Sequence, residues 1–318
     1  MVQDRLRGKA ALICGSVAYD TILQFPDRFK SHILPDKIHI LNVSFLVPDM
    51  RREFGGCAAN IAYNLMLLGD RGVPMATAGD DFEPYAKRMA ALGLAVDHIK
   101  VVEGTFTAQA FITTDLDDNQ ITAFHPGAMQ HAHLNRVLDA GPGIALGIVA
   151  PDGRQAMIEH AAQFAAAGIP FIFDPGQGMP MFGAEELKTF IAQARWIAVN
   201  DYEWGLLQQK TGLTVSQVTA QVEALVVTRG AEGSVIYTNG RTLQVPCARP
   251  NAVVDPTGCG DAYRAGLIHG LLQGLDWETT GRMASLMGAI KVESRGPQNH
   301  RITPTEFARR FEDSFGKA

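Results

Sequence analysis

Asp261 stands directly after two glycines and a cysteine in VVDPTGCGDAYRAG, residues 253–266, an arrangement that sets a carboxylate at the mouth of an anion pocket. Gly258 and Gly260 open backbone turns closed to other residues, and the first turn of a helix leaves N–H groups with no partner. With the positive end of the helix dipole, those donors make a phosphate site. A carboxylate there repels the anion unless it has a task such as taking the proton of an attacking hydroxyl. The plainer reading is that Asp261 caps the helix. A second glycine turn, EFGGCAANIAYNLMLLG over residues 53–69, follows the same grammar: Gly55 and Gly56 allow a close approach, then Ile61, Leu65 and Leu68 line one helix face.

Elements must hold these turns in place. Val253 and Val254 read as the end of a buried strand, and Ala262, Ala265, Gly266, His269 and Leu272 recur at helical spacing. Further buried strands are expected at 11–14, 144–150, 171–173, 196–199 and 225–227, with helices at 154–167, 185–194 and 307–315. Such alternation predicts an α/β fold with a mostly parallel sheet covered on both faces, its ligands beyond the carboxyl ends of the strands. Residues 21–54 and 101–125 break the rhythm with short β-like pieces. The runs 108–113 and 120–124 flank a polar turn and read as a hairpin.

Composition narrows the function. The 318 residues are 47% hydrophobic and 19% charged with a net charge of −5, which argues against disorder and against a nucleic-acid partner. Cys14, Cys57, Cys247 and Cys259 lie too far apart for a zinc site or a disulfide framework, and read as reduced thiols. The apolar run 10–14 is too short for a signal peptide, and no window approaches the ~20 apolar residues of a membrane span, so a cytoplasmic protein is expected.

Other motifs fail on detail. Asp115, Asp117 and Asn119 begin like a calcium loop, but Gln120 and Pro126 replace its glycine and glutamate. His125, His131 and His133 lack a carboxylate partner. Gly141, Gly143 and Gly147 precede a strand instead of following one, and no Walker loop occurs.

In order and separation, the two glycine turns resemble the signatures of the ribokinase family, the PfkB-type carbohydrate and nucleoside kinases. The resemblance covers nearly the whole chain and implies one three-layer ribokinase-like domain over residues 1–318, whose segments 21–54 and 101–125 form a small β lid over the acceptor. It implies Asp261 as base, with the N–H groups of Gly258, Cys259 and Gly260 on the transferring phosphoryl. Asp20, Gly56 and Asn60 match the family's sugar-holding positions, and Thr228, Gly230 and Gly233 its nucleotide turn. Asn200 and Glu203 match the pair that positions Mg²⁺ through waters beside ATP, with no direct protein ligand.

Two departures stand in the glycine loop, Pro256 and Cys259, and neither closes an anion pocket built from backbone amides. The family often binds a monovalent cation such as K⁺ near Asp255 and a late loop, here 295–300, where His300 replaces a small hydroxyl residue. RREFGGCAANIAYNLMLLG, TTDLDDNQITAFHPGAM and RGPQNH look most like bacterial adenosine kinases. The expected function is therefore phosphorylation of the adenosine 5′-hydroxyl by a monomer or homodimer, with Phe111 or Phe124 of the lid as candidates to cover the purine. A sugar kinase of the same family, or a nucleotide-binding regulator without turnover, are the alternatives.

Overall fold

Ala10–Cys14 is buried along its whole length, because alternate residues enter different cores: Ala11 and Ile13 one, Leu12 and Cys14 the other. A strand wholly apolar in sequence is thus the centre of a three-layer molecule. The computed structural model describes residues 10–33, 40, 42–117 and 119–316, so residues 34–39 and 41 of the segment 21–54, Asp118 of the polar turn and Lys317 lie outside it.

The strands are β1 (Ala10–Cys14), β2 (Ala18–Gln24), β3 (Asp49–Gly55), β4 (Gly72–Ala78), β5 (Ile99–Val101), β6 (Ala108–Thr114), β7 (Gln120–His125), β8 (Ile144–Val149), β9 (Phe171–Phe173), β10 (Trp196–Asn200), β11 (Ala224–Thr228), β12 (Ser234–Thr238) and β13 (Arg241–Val245). The helices are α1 (Cys57–Leu67), α2 (Glu83–Ala91), α3 (Arg154–Ala167), α4 (Ala184–Gln193), α5 (Asp201–Thr211), α6 (Val215–Thr219), α7 (Cys259–Gln273), α8 (Trp277–Val292) and α9 (Pro304–Phe315).

Nine strands form the main sheet in the order β13-β12-β11-β10-β9-β8-β1-β4-β5, parallel except where β12 and β13 add an antiparallel edge. Helices α1, α2 and α7 pack on one face through Ile61, Tyr85 and Ile268, and α3 to α6 on the other through Met157, Phe190, Leu207 and Val218. A separate four-stranded sheet, β3-β2-β6-β7, is antiparallel apart from the β2–β6 pair. Its β6–β7 hairpin turns at Asp115, whose carboxylate accepts N–H bonds from Phe29, Asp117 and Asn119. No helix among the described residues is long and apolar enough to cross a membrane.

One expectation fails. Residues 246–258 form no strand, and Val253 and Val254 are 78% and 46% exposed. The N–H groups of Val254 and Asp255 donate to the Val292 carbonyl at the end of α8, so this segment pairs with a helix terminus instead of the sheet. Val253 lines a cavity. A β-branched pair before a glycine turn reads alike whether it fills a core or walls a ligand site.

Candidate active site

The turn before α7 requires glycine at 258: its φ is +81°, and a Cβ there would lie 2.7 Å from Pro297 Cβ. Among the described residues, the N–H groups of Gly258, Gly260 and Asp261 have no protein partner. Cys259 departs from expectation, since its N–H donates to the Pro256 carbonyl at 3.1 Å and is spent closing the turn. Asp261 is partly buried in the first turn of α7 and accepts 2.8 Å from Asn60 Nδ2. Burial pushes its carboxyl up to about 7; the Asn60 bond opposes this, and the charges of Asp174 and Asp20 add to it.

The first glycine turn faces the second. Gly56 has φ +89°, and a Cβ on it would stand 2.6 Å from main-chain atoms of Ser16, Val17 and Ala18, so β2 enters against bare backbone. On β2, Asp20 lies against Gly55, whose added Cβ would come within 2.6 Å of its carboxylate. Burial first, then the charges of Glu53 and Asp255, raise Asp20 to about 6. Asn60 is more committed than its sequence match suggests: besides its bond to Asp261, its Oδ1 accepts from Gln298 Nε2 at 2.8 Å. Gln298 also donates to Tyr85, which donates to the Gly55 carbonyl. Sequence reasoning missed Gln298 and Tyr85, although Gln298 lies in the late segment RGPQNH.

Thr228, Gly230 and Gly233 line one cavity with Gly260 and Tyr263, of about 450 Å³ and largely apolar, within the range of small-ligand sites. Pro256 of the turn before α7 and Cys259 at the start of that helix line it as well. Asn200 caps α5: its Oδ1 accepts from Glu203 N, while both Glu203 oxygens accept from Asn200. The capping reading is therefore realised, and each Glu203 oxygen is already engaged by Asn200. That donor set fits a phosphate-bound Mg²⁺, which keeps several waters.

Arg264, also missed, lines the same cavity. It is buried, donates twice to Asp174 at 3.1 and 2.9 Å, and lies 3.9 Å from Glu203. An arginine inside an otherwise apolar helix face was the available signal. The expected monovalent-cation position does not fit a metal: the Asp255 carbonyl already accepts from Lys291 Nζ at 2.8 Å.

The register of the small sheet separates the two lid phenylalanines. Ala110 is opposite both Asp20 and Phe124, whereas Phe111 is opposite Thr21, so Phe124 shares the face of Asp20 and Phe111 points the other way.

The sequence matches the family described as pfkB family carbohydrate kinase over residues 30–305. It is 52% identical to a Burkholderia thailandensis nucleoside kinase solved in complex with inosine, with a TM-score of 0.88 over 96% of this chain and 98% of that one. A Methanocaldococcus jannaschii nucleoside kinase is 32% identical over 275 residues, 85% of this chain and 89% of that protein. Bacillus subtilis ribokinase is 25% identical over 259 residues, 79% of this chain and 85% of that protein.

Proposed function

The chain belongs to the pfkB family of carbohydrate kinases, an ATP-dependent class, and on that premise we propose that it is a nucleoside kinase acting on the ribose 5′-hydroxyl of adenosine to give AMP. The observation that carries this reading is the Asp261 carboxylate, held by Asn60 at 2.8 Å beside the N–H groups of Gly258 and Gly260, which have no protein partner among the described residues. Asp261 takes the proton of the 5′-hydroxyl as its oxygen bonds to the γ-phosphorus of ATP. The bond from that phosphorus to the β–γ bridging oxygen breaks, and ADP leaves. The amides of Gly258 and Gly260 hold the migrating group, and each such donor is typically worth ~10²–10³-fold. Mg²⁺ would neutralise phosphate charge, and Asn200 and Glu203 are the residues that would hold it through water.

On the acceptor side, Asp20 accepts bonds from the ribose hydroxyls and Gly56 lets the ring approach the backbone. Phe124, on the face of Asp20, supplies an apolar surface for the base. Thr228, Gly230 and Gly233 hold the nucleotide. The Burkholderia relative in complex with inosine makes inosine the first rival acceptor.

Release of ADP, measured in parallel with adenosine, inosine, other nucleosides, ribose and fructose phosphates, tests the reading. Adenosine should give the highest kcat/KM. Ribose as the best acceptor would make the protein a sugar kinase, and ATP binding without ADP release from any acceptor would make it a non-catalytic binder.

A further inference from the structure

Lys291 is fully buried near the end of α8, and its ammonium ends on two main-chain carbonyls: Asp255 at 2.8 Å and Ser294 at 3.1 Å. Asp255 begins the glycine turn that carries Gly258 and Asp261. Ser294 begins the late loop that carries Gln298. The Asp255 carboxylate does not take the ammonium as a hydrogen-bond partner; its oxygens accept the N–H groups of Thr257 and Gly296, at 2.9 and 2.8 Å. The late loop offers no hydroxyl at its far end either, because His300 is buried and turned to Asn64 on α1.

We propose that the ammonium of Lys291 is a tethered monovalent cation, placed between Asp255 and the late loop where the family resemblance implies a free one, so that this protein holds its phosphate turn in shape without potassium. Two neutral carbonyls from different segments converge on the ammonium at hydrogen-bonding distance, and carbonyl oxygen is a ligand that K⁺ and an ammonium group share. A leucine or methionine would fill the same volume without satisfying either oxygen. Together with the bond from the Gly296 N–H to the Asp255 carboxylate, the Lys291 ammonium joins the phosphate turn to the segment that positions Asn60 through Gln298. Covalent attachment means the charge is present at every salt composition, so nothing remains for a dissolved cation to add.

The test compares the wild-type protein in potassium, sodium and choline chloride at equal ionic strength, by melting temperature and by turnover. Neither should differ between salts by more than the scatter of replicates, since a cation that does not bind the native state adds no stability. A rise in melting temperature or several-fold faster turnover specific to potassium overturns the proposal. Lys291→Ala should melt lower in choline and regain part of the loss when potassium or ammonium chloride opens to the vacated space. Lys291→Met, which leaves no such space, should melt lower in all three salts. A Lys291→Ala protein that folds and responds to no cation also overturns it. The melting measurements do not depend on the acceptor or on turnover, so their outcome is separable from that of the kinase assignment.

Discussion

Asn60 Nδ2 donates to Asp261 Oδ2 across 2.8 Å, tying together two glycine turns that lie 201 residues apart in the chain. A bond donated to a carboxylate favours its ionised form, so this contact holds Asp261 below the value burial alone would give. In Asn60→Ala the carboxyl should titrate higher. A base acts when deprotonated, so kcat/KM falls as pH drops through that value, and in the variant the fall should begin at higher pH than in the wild type. A pH profile with an unmoved acid limb would separate Asn60 from the proton step.

Asp261→Asn keeps the shape of the turn and removes the base. Turnover should fall by at least ~10²-fold with KM for both substrates little changed, because the loss falls on the transition state. Steady-state kinetics decide it, and near-normal turnover removes Asp261 from the proposed role.

Much of this arrangement was legible in the sequence, and the misses share a cause. Gly56 and Gly258 announce themselves because only glycine tolerates their φ and the backbone pressed against them. The alternation of apolar runs with amphipathic stretches gave the parallel sheet and its flanking helices. Val253 and Val254 were misread because an apolar side chain that walls a cavity has the same identity as one that fills a core. Gln298, Tyr85, Lys291 and Arg264 were not singled out because their partners are distant in sequence, and a buried polar side chain declares its role only through the atoms it meets.

Asp20→Ala should raise KM for the nucleoside and leave KM for ATP nearly unchanged. Asp20 sits on β2 beside the first glycine turn, away from the cavity lined by Thr228 and Gly233. Measuring KM for each substrate at saturating levels of the other checks this. A collapse confined to ATP affinity would reverse the two sides of the cleft.

Asp152 is buried with one carboxylate oxygen on the Gly153 amide and the other without a partner among the described residues. Burial pushes its carboxyl up to about 8. A group whose folded value exceeds its unfolded one takes up a proton on folding. Its contribution to stability therefore falls as pH rises from about 4 to about 8, by ~1.4 kcal/mol per pH unit while both states stay on either side of their midpoints. Asp152→Asn should melt higher than the wild type at neutral pH, and the gap should close toward pH 4. Equal melting temperatures at both ends of that range would mean the carboxyl stays ionised in the fold.

Arg264 and Asp174 form a buried pair, each side chain 6% exposed, with two hydrogen bonds between them. Removing one partner strands the other charge away from water. Arg264→Met should accordingly cost ~3–5 kcal/mol, read as a lower urea midpoint at unchanged slope. Replacing both, as Arg264→Met with Asp174→Leu, removes the Asp174 charge but leaves Glu203 without its cationic neighbour, and should recover part of that loss, since apolar substitutes for a buried pair are often neutral or better. Arg264 also lines the cavity proposed for the nucleotide, beside Gly260, so the double variant should fold yet bind ATP more weakly. A double variant as unstable as the single one would show that Arg264 stabilises α7 by packing, independently of its partner's charge.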